Sequence, residues 1–185
     1  MIRTALFLLS LATPALPQSP LPFDVGGPYR LTNPYGETRT QADPEGHAQL
    51  LFSGYANCPG ICSAAMPPMA DVVDSMAKHG IPLRPVMITV DPKRDTPFNM
   101  ATPRAAYHPA FIGLTGDTAT LQTAYDAFNI DHEPAYTEPQ YGPAYSHGSL
   151  IYLMDARGDL LTIVPPVLDA TRAAHIILKY LQPGQ

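Results

Sequence analysis

The chain contains no tryptophan, only two cysteines, Cys58 and Cys62, and few basic residues. Two thiols are too few for a zinc site closed by four thiolates, or for an iron–sulfur cluster held within one chain. Eleven Lys and Arg face sixteen Asp and Glu, a net charge of -5. With no long basic run, this balance argues against nucleic acid or an anionic membrane surface as partner. The interior of the chain holds no apolar run near the ~20 residues that cross a bilayer. No segment repeats and nothing marks a second domain, so the 185 residues suit one domain with an ordinary hydrophobic core. Proline, by contrast, is abundant at 22 residues, scattered through apparent turns.

The first fifteen residues read as an export signal. Arg3 precedes an apolar stretch from Ala5 to Ala12, and Thr13-Pro14-Ala15 offers small residues for cleavage. An uncleaved anchor is the alternative, against which Pro14 and Pro17 cut the apolar run short. Residues 16–28 read as an extended lead-in, and residues 29–185 as the folded domain. Export, in a bacterium to the periplasm, places both cysteines in an oxidising compartment. Membrane contact then comes only through a partner or an uncleaved N-terminus.

Tyr29–Thr32 and Glu37–Thr40 flank the turn Asn33-Pro34-Tyr35-Gly36, which predicts a small hairpin. A strand follows at 48–54, then the two cysteines. Met69, Val72, Val73 and Met76 recur at helical spacing until Gly80 stops them. Residues 83–90 form an apolar, β-branched strand. Thr96 and Pro97 start a helix that ends before His108, with Thr96 as cap and Pro97 at the first position. A short strand at 111–114 leads to a helix capped by Asp117 or Thr118. Residues 131–146 read as a polar, proline-rich loop. Strands 149–154 and 160–164 pair around Ala156-Arg157-Gly158, and 168–181 closes the chain as an amphipathic helix. This order predicts an α/β, thioredoxin-like fold: a central mixed sheet flanked by helices, with an N-terminal hairpin extension.

The chemistry concentrates in Gln49–Cys62, an apolar strand running into Cys58-Pro59-Gly60-Ile61-Cys62 at a strand-to-helix junction. Nearby helical N–H groups favour thiolate over thiol, and soft thiolates select Cu(I), zinc or iron–sulfur clusters. Three uses stay open on spacing: a soft-metal site, a redox dithiol and a structural disulfide, the last closing so small a loop that it restrains the unfolded chain little. A two-sulfur metal site needs a further ligand. Among six histidines His147 stands out, immediately before an apolar strand whose entry loop can face the cysteine loop; a surface histidine is the alternative. His47, His79, His108, His132 and His175 suit solvated roles, His132 as a loop residue. Met69 reads as core, while Met66 is either core or a thioether ligand.

With these residues in view, the chain resembles the Sco/SenC family of copper-binding assembly factors for cytochrome c oxidase. The matching pieces are Gly26–Leu31, Leu51–Tyr55 with Cys58–Cys62, Ile88–Pro97, and Ser146-His147 ahead of Ile151–Asp155. The resemblance implies copper, Cu(I) and also Cu(II), bound by Cys58, Cys62 and His147. It further implies delivery of that copper to, or thiol reduction at, the dinuclear copper site of an oxidase subunit. The implied partners are this copper-receiving subunit and, beside it, another periplasmic copper chaperone or a thioredoxin-like reductant. A thiol–disulfide oxidoreductase acting on the receiving partner is the enzymatic alternative; a copper sensor or store is a third. Asp91 and Asp95 match family positions without a ligand role, and turn and capping hydrogen bonds are the role expected of them. The chain departs from the family pattern in carrying Ser63 after the second cysteine, where it would serve as a helix N-cap, and Pro67-Pro68, which would delay or kink the helix.

Overall fold

The computed structural model describes residues 24–56, 58, 61–105 and 107–182, the side chains at 61–64 and 102–105 excepted. The expected signal (1–15) and most of the lead-in lie outside these residues. From Asp24 the chain runs without regular structure, and the Gly26 N–H donates to the Ala127 carbonyl at 2.7 Å.

The hairpin β1 (Arg30–Thr32) and β2 (Thr38–Thr40) follows. Its turn is closed by Asn33, whose Oδ1 accepts from the Tyr35 and Glu37 N–H groups at 2.9 Å each. Gly36 takes the left-handed conformation, φ 80°, that a side chain would disfavour. Reciprocal bonds between Thr32 and Thr115 hook this extension to the body.

The body is a five-stranded sheet in the order β5-β4-β3-β8-β9. β3 (Ala48–Gly54), β4 (Leu83–Thr89) and β5 (Ile112–Leu114) are parallel. β8 (Ile151–Met154) and β9 (Leu160–Val164) complete it in antiparallel sense. Central β3 is buried from Gln49 to Gly54, which is why it reads as an apolar run rather than an alternation. Successive side chains point to opposite faces. Leu50 and Ile151 meet α1 (Ile61–Lys78) and α4 (Ala170–Leu181), through Met69, Val72 and Ile177. Tyr152, paired with Leu51 and out of phase with Ile151, instead packs on Phe128 of α3 (Thr118–Phe128) and donates to its carbonyl at 2.7 Å. The sheet is therefore covered on both faces. α2 (Pro97–Ala105) packs beside β5. Ile88, fully buried in β4, reports on this packing. Ile88→Val removes one methylene and is expected to cost about 1 kcal/mol in urea unfolding, with an unchanged slope.

Several local expectations hold. Thr96 Oγ1 accepts from the Asn99 N–H ahead of α2, and Asp117, one of the two candidates, caps α3. The last helix starts at Ala170, capped by Asp169, for which the sequence reading named no cap. At the β8–β9 turn, Gly158 has φ 90°, and a Cβ there would lie 2.6 Å from the Gln41 carbonyl oxygen. Both facts demand glycine.

Two expectations fail. Residues 131–146 are not a loop: β6 (His132–Glu138) and β7 (Gly142–His147) form an antiparallel ribbon separate from the main sheet. Six of the seven β6 residues are exposed, so no buried face imprints an alternation on the sequence. His132 is thus a strand residue, directly opposite His147. Nor does Ser63 cap α1. The helix starts at Ile61 and runs through Pro67 and Pro68 without delay, although these have no N–H to give to the carbonyls of Ser63 and Ala64. Burial of Met66, Met69, Val72, Val73 and Met76 supplies what the two missing bonds do not.

Candidate metal centre

Parallel β3 and β4 deliver their carboxyl ends to the same edge of the sheet, where open α/β sheets form their sites. After β3 come Tyr55 and Cys58; after β4 come Asp91, Arg94 and Asp95. Register holds the two together, the Val90 N–H donating to the Gly54 carbonyl at 2.9 Å. Because β8 is antiparallel to β3, its beginning lies at this same edge. The residues just before β8 are therefore brought to the cysteine loop, and Ser53 Oγ bonds the Gly148 carbonyl at 3.1 Å.

Cys58 Sγ lies 3.9 Å from His147 Nε2. His147 Nδ1 is 2.9 Å from the Gly148 carbonyl. A carbonyl only accepts, so Nδ1 carries a proton, and in the neutral ring Nε2 then turns its lone pair toward the sulfur. Such a backbone acceptor behind a histidine fixes both tautomer and ring orientation for a metal. Cys62 is the second residue of α1, in the turn whose free N–H groups favour a thiolate; its side chain lies outside the described residues. Among the described residues no group of three His, Cys, Asp or Glu side chains closes on one point. Of the expected ligands, Cys58 and His147 are brought together.

The walls of the site come from residues that sequence reading left without a role. Tyr55 is buried beneath it. Its ring meets Tyr145 and His147 edge-on at 5.6 and 5.8 Å, and its hydroxyl accepts from the Tyr145 N–H at 3.2 Å. Arg94 pairs with Asp91, reaches the carbonyls of Tyr141 and Pro143, and stands 5.6 Å above the Tyr55 ring. The signal available in sequence was the charged run Asp91–Asp95 beside a proline-rich segment, which does not say what Arg94 grips.

Asp91 takes the local role expected of it, pairing with Arg94 three residues on, whereas Asp95 makes tertiary bonds in place of a turn or cap. The buried Asp95 carboxylate accepts from Thr89 Oγ1 at 2.7 Å and from the Ala56 N–H at 2.9 Å, tying the cysteine loop to the end of β4. Tyr125 donates to the Thr89 carbonyl at 2.7 Å. Burial, reinforced by the charges of Asp91 and Asp95, pushes its phenol well above the usual range, so it remains a donor at any physiological pH.

Met66 lies in the hydrophobic core with Met69, in keeping with the first of its two readings. His47 and His108 sit beside Asp43 and Asp74, at 3.6 and 3.3 Å, and His79 and His175 are exposed. His132 packs on Tyr125, the two rings tilted by 59° with centroids 4.6 Å apart. Together with Asp131, Glu133, Ser146, His147 and Gly148 it lines an open cleft of about 540 Å3 beside the site. No described helix is long and apolar enough to cross a membrane.

Comparison with known proteins agrees with this architecture. The family model described as SCO1/SenC matches residues 17–182. The SCO2-like protein RC0895 of Rickettsia conorii is 35% identical over 163 residues, covering 83% of this chain and 78% of its own. The copper-bound ScoI of Arabidopsis thaliana superposes with a TM-score of 0.80 over 85% of this chain and 98% of its own, at 24% identity. The copper-bound ScoI of Bradyrhizobium japonicum gives 0.74 over 84% and 99%, at 29% identity. The fold is thioredoxin-like, and the chain belongs to the SCO1/SenC family.

Proposed function

We propose that this protein is an exported copper chaperone that binds one copper ion through Cys58, Cys62 and His147. It passes the ion to the dinuclear copper site of a cytochrome c oxidase subunit. The observation that carries the reading is the approach of Cys58 Sγ to His147 Nε2, with Nδ1 engaged by the Gly148 carbonyl. One sulfur and one oriented imidazole lone pair already meet across 89 residues of chain, and Cys62 follows at the start of α1. Membership of the family supports copper as the cargo, as does the copper-bound relative from Bradyrhizobium japonicum.

Cu(I) is soft and is satisfied by two thiolates and one imidazole, which leaves room for an incoming ligand. A thiolate of the receiving subunit enters while the imidazole, carried on the β6–β7 ribbon, leaves first; the sulfurs are then exchanged in turn. The carboxylates of Asp131 and Glu133 beside the cleft favour the approach of a cation. Both sulfurs must be reduced to hold the ion, so disulfide formation couples loading to redox poise. The export signal at 1–15 puts this cycle outside the cytoplasm, in a bacterium in the periplasm, with another copper chaperone or a thioredoxin-like reductant as upstream partner.

The test is anaerobic Cu(I) titration of the reduced protein against a competing chelator. Wild type is expected to take one ion per chain. His147→Ala is expected to weaken binding roughly 100-fold by removing one of three ligands; binding within threefold of wild type removes His147 from the site.

A second reading rests on the same atoms. Cys58 beside an imidazole and Cys62 at a helix start form an activated dithiol, which suits a thiol–disulfide oxidoreductase acting on the receiving partner. The two separate in metal-free thiol exchange. For a chaperone, His147→Ala leaves exchange largely intact, whereas an equal loss in both assays favours the enzyme.

A further inference from the structure

The ribbon that carries His147 is a separate two-stranded sheet with no ladder to the body among the described residues, and nearly all of β6 is exposed. Something other than sheet pairing must hold it against the cysteine loop. Arg94 is placed to do so. Its Nε donates to Asp91, and its two terminal nitrogens donate to the carbonyls of Tyr141 and Pro143, on either side of the ribbon's turn glycine. Gly142 has φ 78°, and a Cβ there would stand 3.0 Å from an Arg94 nitrogen, so the turn approaches the guanidinium where it has no side chain. Asp91 is itself fixed: it is 2% exposed, its N–H donates to Thr89 Oγ1 at 2.9 Å, and its carbonyl accepts from the Asp95 N–H at 2.9 Å. A planar fork with diverging donors can span a carboxylate and two carbonyls; a lysine ammonium cannot reproduce that geometry.

We propose that Arg94 is a positioning residue that latches the β6–β7 ribbon to the end of β4, and thereby sets how tightly His147 is held as the third copper ligand. The inference rests on the metal-site reading above. With the latch closed, Nε2 faces Cys58; with it open, the imidazole leaves with the ribbon and two sulfurs remain. The apparent affinity then scales with the latched fraction.

The full reduced chain is tested anaerobically with Cu(I), using bathocuproine disulfonate as competitor. The variants are R94M, R94K, H147A and the double variant R94M/H147A. In parallel, hydrogen exchange of the Tyr145 amide, which donates to the Tyr55 hydroxyl, is followed in metal-free protein. If the latched fraction falls to about a tenth, R94M weakens Cu(I) binding about tenfold, with R94K intermediate. R94M/H147A then matches H147A within twofold, because Arg94 has nothing further to position. Tyr145 exchanges about tenfold faster in R94M, while the amides of β3 keep their protection.

A full tenfold loss on adding R94M to H147A would overturn the proposal, since Arg94 would then act other than through the imidazole. Unchanged Tyr145 exchange in R94M would overturn it too. Should R94M fail to fold, R94K and R94K/H147A are judged by the same two comparisons. A wild-type chain with no Cu(I) affinity defeats the metal reading alone; metal-free Tyr145 exchange then upholds or rejects the latch by itself.

Discussion

Cys58→Ser is expected to abolish tight Cu(I) binding, with a loss of about 1,000-fold or more in chelator competition. The substitution keeps the size of the side chain and exchanges a soft thiolate for a hydroxyl that stays protonated and hard. What remains is Cys62 and an imidazole on a ribbon outside the main sheet, a poor pair for a soft ion. The fold is indifferent to the change: Cys58 is partly buried and lies at the margin of the core, so the urea midpoint is expected to stay within the scatter of surface variants. Loss of copper with an unchanged midpoint identifies a ligand. Cu(I) affinity within tenfold of wild type would remove Cys58 from the site.

Asp95→Ala is expected to have the largest effect on stability, about 3 kcal/mol by urea unfolding, because two buried or half-buried donors lose their acceptor at once. Those donors are Thr89 Oγ1 and the Ala56 N–H, and the carboxylate between them is 1% exposed. An alanine supplies no acceptor in its place. The consequence reaches the metal, since Ala56 stands two residues before Cys58 and loses the bond that fixes its peptide. Cu(I) affinity is therefore expected to fall along with stability, unlike the result for Cys58→Ser. Stability within 1 kcal/mol of wild type would show that the cysteine loop does not depend on Asp95.

These two variants separate the ways in which the site was legible. Cys58 could be singled out because thiols are scarce and their chemistry is specific. Asp95 stood in a recognisable loop, but its partner Ala56 is 39 residues away and carries no side-chain signal. Arg94 is harder still, for it grips two backbone carbonyls, and every residue except the glycine between them has a side chain that says nothing about this. The β6–β7 ribbon went unread for a related reason. Sequence patterns record burial, and a ribbon with one strand almost wholly in solvent writes none. Ser63 shows the opposite error: a good capping residue is only a local preference, and with α1 packed along Met66, Met69, Val72 and Met76 the helix starts at Ile61, three residues before the Ala64 that a Ser63 cap would give.

By itself the sequence determined the α/β order of the main sheet and its helices, the cap Thr96, the start of α3 at Asp117 or Thr118, the apolar central strand and the resemblance to Sco/SenC. Each of these depends on neighbours in the chain: periodicity, turn chemistry, a short motif. Only the tertiary structure decided that His147 meets Cys58, that Met66 is buried in the core, and that Arg94 and Tyr55 bond to the ribbon backbone. Those facts follow from strand direction and register, with β8 antiparallel to β3 carrying residues some 90 positions apart to one edge of the sheet. Closure over that distance is governed by the packing of the whole sheet, and no local segment encodes it.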